Sequence, residues 1–336
     1  MHVTLVDDGI PFDGDSAAVR PLGGAEKAFA GLAGALAGLG HRVTVFNRAE
    51  RPIEIGGAVW AGWDGSRPRE SDVLIAYRKP SLLGFVPARR RLLWLVGPAE
   101  YLSKADNRTL LLGHQPILVF QARGQRDGWE DGTRLRAVVV RPGVGAAFLG
   151  EEPSVPADPP RAIVTTHPLH GLEWLLGVWR DKIRPVLPRA ELHVYSAALD
   201  RAHRGEVVAQ EYQRMLALAR AAGAIVERPL PDPEMARAYR SARVHLYPSR
   251  GDEAFCGSLA ESQASGVPAV ARPLGAAADQ VIEDVTGYLR DDDDAFANAA
   301  LRVIGDDATF ERMSRQARLQ RRGWREAAAE FEALWA

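Results

Sequence analysis

Short apolar runs alternate with amphipathic stretches along the whole chain. "HVTLV" (2–6) is followed by Gly24 to Leu39, where Phe29, Leu32, Leu36 and Leu39 recur at spacings of three and four, and then by "HRVTVF" (41–46). The first and third read as strands. The second reads as a helix that packs one face on a sheet and ends at Gly40. "DVLIAY" (72–77), "RLLWLV" (91–96), "PILVF" (116–120) and "RAVVV" (136–140) are nearly continuous in apolar residues, as strands buried on both faces are. The opening part therefore predicts a doubly wound α/β domain over residues 1–150.

The pattern breaks at "RPGVGAAFLGEEPSVPADPP" (141–160), which has neither helical nor strand period and reads as a linker. It then restarts with "AIVTT" (162–166), a helix from Gly171 to Leu187 with Leu172, Leu175, Trp179, Ile183 and Val186 on one stripe, and "ELHVYS" (191–196). "AIVERPL" (224–230), "RVHLYPS" (243–249) and "VPAVARP" (267–273) continue it, and helices near 292–304, 307–318 and 321–335 close it. This is a second domain of the same kind, over 151–320, with a terminal helix in 321–336. Two open parallel sheets in tandem are expected to face a cleft at the carboxyl ends of their strands, where such folds bind ligands.

Composition narrows the function classes. Forty-two Lys and Arg nearly cancel forty-three Asp and Glu, which gives no global attraction to nucleic acid. The single cysteine, Cys256, rules out an internal disulfide and a thiolate zinc site and suits a reducing compartment, so a cytoplasmic location is expected. No basic and apolar leader opens the chain and no apolar stretch approaches bilayer length, so no integral membrane segment is expected. A peripheral membrane contact stays compatible with this composition.

The candidate chemistry gathers in "GDEAFCGSLAESQASGVPAV" (251–270). It follows an apolar strand and opens a short helix near Ser258, which is an anion-binding position. Small residues let the backbone N–H groups of Phe255, Cys256, Gly257 and Ser258 approach a pyrophosphate, and the helix dipole adds partial positive charge. Glu261, one turn in, can accept from two ribose hydroxyls. It also forms S-x-x-E with Ser258, a capping box, and the sequence leaves both readings open.

The stretch resembles the E-x7-E signature of retaining glycosyltransferases of the GT-B fold, family 4 (glycosyl transferases group 1 type), with Glu253, Phe255, Glu261, Ala264, Ser265, Gly266 and Pro268 in register. "LGGAEKAFAGLAGALAGLGHRVTVF" (22–46), "HGLEWLL" (170–176) and "VTGYL" (285–289) are similar to further segments of that family. The last helix, with Trp324, resembles the one that crosses back to the first domain. The resemblance implies a GT-B architecture, an acceptor-side domain at 1–150, and a nucleotide-sugar domain at 151–320. It also implies a UDP- or GDP-linked sugar donor, a small-molecule or glycan acceptor, and no cofactor. Glu253 would act at the donor sugar as the catalytic carboxylate, Glu261 would hold the ribose, and Gly23 and Gly24 would approach the donor phosphates or the acceptor. Arg228 stands in the segment from Glu227 to Leu230 against which the base would lie.

The sequence departs from the family at the cations. Thr165 and Thr166 occupy the usual glycine-arginine region, and His170 stands at the lysine position, with Arg250 or Arg201 as substitutes from neighbouring loops. Cys256 replaces a glycine and reads as an apolar filler, since no paired base is recognisable. "DDDD" (291–294) contains D-x-D but precedes a helix and reads as its cap, and His167, His170 and Glu173 lack a further ligand, so no metal is expected. Arg89 to Arg91 read as a solvated turn. "GVGAAFLG" (143–150) imitates a dinucleotide fingerprint, but its third glycine is misplaced and no regular helix is expected after it. A sugar epimerase or phosphorylase on the same scaffold, or a silent nucleotide-sugar-binding protein, are the alternatives.

Overall fold

Apolar runs that fill two faces at once need covering on both, and the chain meets this need twice. The computed structural model describes residues 1–49, 52–129 and 133–335. It divides into two compact units, Met1–Gly145 with Arg322–Ala336, and Ala146–Arg321.

The first unit is built on strands β1 (His2–Val6), β2 (Arg42–Asn47), β3 (Ile53–Ile55), β4 (Ala58–Gly62), β5 (Ser71–Tyr77), β6 (Ala88–Trp94), β7 (Ile117–Phe120) and β8 (Ala137–Val139). They form one sheet in the order β3-β4-β2-β1-β5-β6-β7-β8. All neighbours are parallel except the β3–β4 pair. Strand alternation sorts the side chains between two cores: Val73, Ile75 and Tyr77 of β5 enter one, and Leu74 and Ala76 the other. The helix Gly24–Gly38 lays Phe29, Leu32 and Leu36 on the first core. The helix Trp324–Glu332 packs on the same side, and a Cβ on Gly31 would stand 2.3 Å from the Trp324 indole nitrogen. The long segment after β1 is pinned by Phe12, which meets Phe29 and Trp60 edge-on at 5.9 and 5.7 Å.

The β3–β4 hairpin adds two strands to those that hydrophobic periodicity predicts. Its turn, Gly56-Gly57, has φ of 59° and 78°, the left-handed pair of a two-residue hairpin turn. Glycine pairs flanked by "IEI" and "AVWAG" are its signal.

The second unit has β9 (Arg161–Val164), β10 (Glu191–Tyr195), β11 (Ile225–Glu227), β12 (Val244–Tyr247), β13 (Ala269–Ala271) and β14 (Gly287–Leu289), all parallel, in the order β11-β10-β9-β12-β13-β14. The helix expected over Gly171 to Leu187 is shorter: it spans Leu172–Val178 and passes into a wider turn at Trp179–Ile183, where the Arg184 N–H bonds five residues back to Trp179 O at 2.9 Å. Buried Trp179 and Ile183 keep their apolar stripe through that turn. In each sheet the chain winds outward from one strand and then returns to that strand's other flank. The reversal lies between β1 and β5 in the first unit and between β9 and β12 in the second. At such a point the loops leaving the two strands part and open a crevice.

Among the described residues no helix is long and apolar enough to cross a membrane.

Candidate functional site

The loops at the reversal of the second sheet carry most of the predicted residues. β12 is fully buried, and beyond Pro248 the chain turns sharply through Ser249, whose φ of 53° is unusual for a residue with a side chain. The Ser249 hydroxyl holds this bend by donating to Arg272 O at 2.8 Å. Glu253 follows, its N–H bonded to Arg250 O at 3.2 Å, and the helix Gly257–Ala264 begins four residues later.

Glu253 is held from three directions. Oε1 lies 3.2 Å from Nδ1 of His170, and Oε2 accepts from the Arg250 N–H at 3.3 Å and from the Cys256 thiol at 3.6 Å. The carboxylate is mostly buried, with 13% of its side chain exposed, while His170 keeps 29%. His170 reaches it from the loop after β9, where Gly171 has φ of 83° and a Cβ there would lie 2.9 Å from Pro248. A side chain at Gly171 would therefore push the two loops apart. Burial first, and Glu253 second, push the Cys256 thiol well above its ordinary range. The thiol stays protonated and serves as a donor to Glu253 rather than as a nucleophile. The Tyr247 hydroxyl lies against the same two groups and is raised by burial and then by its interactions with them.

The helix Gly257–Ala264 corrects the capping-box expectation. Its N-cap is Cys256, with no side-chain cap, so Ser258 lies inside the first turn rather than at the cap. Glu261 is buried at 8% exposure, close enough to Tyr239 to raise that hydroxyl after burial has done so. Of the loop amides, that of Cys256 is taken: the Gln280 carboxamide, oriented to satisfy both groups, spans the Cys256 N–H and C=O at 3.2 and 3.1 Å. The amides of Gly257 and Ser258 stand in the first turn, where a helix leaves its N–H groups unbonded.

Among the remaining candidates Arg250 shares the Glu253 loop, and the others lie elsewhere. Arg250 pairs with Asp252 at 2.7 Å, Arg201 bonds to Glu206 at 2.8 Å, and Arg228 is exposed beyond β11. Gly23 and Gly24 open the helix Gly24–Gly38 in the first unit. "DDDD" spends its acids locally, Asp292 accepting from Ala295 N at 2.8 Å, Asp293 from the Trp174 indole at 2.7 Å, and Asp294 meeting Lys182 at 2.6 Å. Glu173 pairs with Arg214, and among the described residues no three His, Cys, Asp or Glu side chains form a metal-binding group.

Two features of this site escaped the sequence. Gly275, after β13, has φ of 54°, and a Cβ there would lie 2.4 Å from Arg250 O and 2.9 Å from Glu253 O. "RPLG" marks a turn there, but not the loop it touches. Behind the site, His245 Nδ1 meets the Ser262 hydroxyl at 2.8 Å and Nε2 the Thr165 hydroxyl at 3.2 Å, and Tyr239 donates to Thr165 at 3.2 Å. Thr165 therefore faces inward.

Burial alone pushes His245 down to about 3. An unfolded histidine takes up a proton below about 6.5, the folded one only near 3, so the unfolded state binds more protons between these values. Stability should then fall as pH drops through that window, by at most about 1.4 kcal/mol per pH unit from this group. Denaturant unfolding from pH 7 to 4 measures it, and His245→Gln, which keeps partners for both hydroxyls, should flatten the slope. An unchanged slope would assign the acid sensitivity elsewhere.

Residues 162–306 match the family model described as "Glycosyl transferases group 1". A D-inositol 3-phosphate glycosyltransferase of Xylanimonas cellulosilytica is 38% identical over 109 residues, 31% of this chain and 26% of that relative's length. The chain thus spans about a quarter of the curated relative that it matches. Among solved structures, sucrose-phosphate synthase from Thermosynechococcus elongatus has a TM-score of 0.75 at 16% identity, covering 99% of this chain and 98% of that one. Anabaena Alr3699/HepE, solved with UDP and glucose, has a TM-score of 0.72 at 12% identity, covering 99% and 98%. At these identities the structures show a shared fold, and the two parallel-sheet α/β units are of the GT-B kind.

Proposed function

We propose, on the premise that residues 162–306 are a glycosyl transferases group 1 domain, that the chain moves a sugar from a nucleoside-diphosphate-sugar donor to a hydroxyl acceptor with retention at the anomeric carbon. The observation that carries this reading is the fixed Glu253 carboxylate at the reversal of the second sheet, beside the opening turn of the helix Gly257–Ala264. In this reading the first-turn amides of that helix receive the diphosphate, Glu261 accepts from the ribose, and Glu253 holds hydroxyls of the donor sugar. The task left to the protein is to stabilise charge growing on the leaving diphosphate, and preorganised N–H donors perform it without a nucleophilic side chain. As the bond between the anomeric carbon and the diphosphate oxygen breaks, that oxygen takes the acceptor hydroxyl's proton, and the acceptor oxygen bonds the anomeric carbon on the face the diphosphate leaves. Metal is not required, since amides and the helix dipole replace it, and chelator should leave transfer unchanged. A similar structure supports the donor class, Anabaena Alr3699/HepE having been solved with UDP and glucose. A cytoplasmic location suits such a donor and the single cysteine.

One observation favours a second reading, a nucleotide-sugar binder without turnover: His170, at the position of the family's lysine, already faces Glu253. Slow donor hydrolysis without acceptor separates the two, because a silent binder consumes none.

Calorimetry with uridine, guanosine, adenosine and thymidine diphosphates tests the donor site. One of them should bind, and Glu261→Ala should weaken it about tenfold or more, the loss expected for a charged hydrogen-bond partner. Unchanged affinity in a destabilised Glu261→Ala protein would make Glu261 a structural residue and remove the ribose assignment.

A further inference from the structure

The reversal of the first sheet holds a second constellation of charge. Asp7 directly follows β1, Arg78 directly follows β5, and Glu26 lies in the first turn of the helix Gly24–Gly38. These three positions, far apart in sequence, converge at one crevice. Arg78 Nη2 donates to Glu26 Oε1 at 2.6 Å and lies 3.5 Å from Asp7 Oδ2, while its Nε is 3.4 Å from Asp7 Oδ1. The Asp7 side chain is fully buried, that of Glu26 is 12% exposed and that of Arg78 28%. Alongside, Lys79 pairs with Asp8 at 2.8 Å.

Stability does not explain this arrangement. Two largely buried carboxylates share one partly exposed guanidinium, and buried ion pairs seldom repay their desolvation compared with apolar packing. Asp7 Oδ1 and Arg78 Nε are buried without a hydrogen-bond partner, so their pairing is one of charge alone. Arg78 also holds a left-handed backbone, φ 68°, fixed by its N–H on Trp94 O at 2.9 Å and by the Tyr101 hydroxyl on its carbonyl at 2.5 Å. Strain of this kind persists where the surroundings over-determine it, and it concentrates at ligand sites. Gly23 belongs to the same device: a Cβ there would stand 2.4 Å from Glu26 Oε2, so the glycine lets the carboxylate fold back over the helix start.

We infer that this crevice binds an uncharged polyhydroxyl group, with hydroxyls donating to Glu26 and accepting from Arg78 while the buried Asp7 holds the guanidinium from behind, and that it discriminates against phosphate- or carboxylate-bearing groups. Three carboxylates against two cations leave the cluster net negative, so an anionic ligand meets repulsion at the helix start that would otherwise attract it. A hydroxyl both donates and accepts, and so satisfies carboxylate and guanidinium together. Under the transferase reading, on which this assignment rests, that group belongs to the acceptor. Glu26 and Arg78 are then its specificity-determining residues, and Asp7 positions Arg78.

Saturation-transfer NMR on the full chain, without nucleotide, tests the inference with two matched pairs of probes: methyl α-D-glucoside against glucose 6-phosphate, and myo-inositol against its 1-phosphate. The neutral member of at least one pair should bind in preference to its phosphate. Glu26→Gln should weaken that neutral member about tenfold, as loss of a charged acceptor does, and narrow the discrimination. Arg78→Lys, which keeps the charge and loses the planar fork, should weaken it as well. Preference for the phosphates, no binding by either neutral probe, or neutral binding unchanged in both variants would each overturn the inference. Since no sugar nucleotide enters the measurement, its failure leaves the donor site standing, and a failed donor assay leaves this result standing.

Discussion

Glu253→Gln should lower turnover by about two to three orders of magnitude and leave nucleoside diphosphate affinity within about threefold of wild type. The substitution keeps the volume and one acceptor oxygen, so the contacts to the Arg250 N–H and the Cys256 thiol can survive on that oxygen. It removes the carboxylate that faces His170 at 3.2 Å and, in the proposed reading, the negative charge that would lie beside the anomeric centre. An interaction realised mainly as charge develops is lost from kcat rather than from ground-state binding. Steady-state kinetics paired with calorimetry separate the two. A variant with normal kcat and weakened nucleotide binding would place Glu253 among ordinary binding residues.

Gly275→Ala should destabilise the protein by about 2–4 kcal/mol and lower turnover at least tenfold in the fraction that stays folded. The residue has φ of 54°, where any side chain is strained, and its Cβ would meet Arg250 O at 2.4 Å and Glu253 O at 2.9 Å. Those contacts are to backbone, so no rotamer change relieves them. The loop must instead lift, breaking the Ala276 N–H bond to Glu253 O at 3.0 Å and releasing the turn that aims the carboxylate. Thermal melts and single-turnover kinetics on the same preparation measure both effects. Wild-type stability would show that the turn has room to give, and the positional argument would fail.

The two sheets were legible because parallel strands buried on both faces leave apolar runs that periodicity finds directly. The β3–β4 hairpin went unread because its strands are short and one face of each is exposed, although Gly56-Gly57 announced the turn. Within the candidate site, local spacing singled out Glu253 and Glu261, and the cap that S-x-x-E imitates at Ser258 lies two residues beyond the N-cap, Cys256. What no local pattern could supply are contacts across long separations: Gly275 against the loop at Arg250, His245 against Thr165 and Ser262, and Arg78 against Asp7 and Glu26. Each depends on which strands become neighbours, a property of topology rather than of any window of sequence.

The central claim is that this chain transfers a sugar with its anomeric configuration kept. Proton NMR of the product formed from an α-linked nucleoside-diphosphate sugar, once the diphosphate panel has named the nucleotide, reads that configuration directly from the coupling of the anomeric proton. An α-linked product that appears as the diphosphate is released, and does not appear with Glu253→Gln, is the predicted result. A β-linked product, or a donor that stays intact with every acceptor and in its absence, would contradict the account.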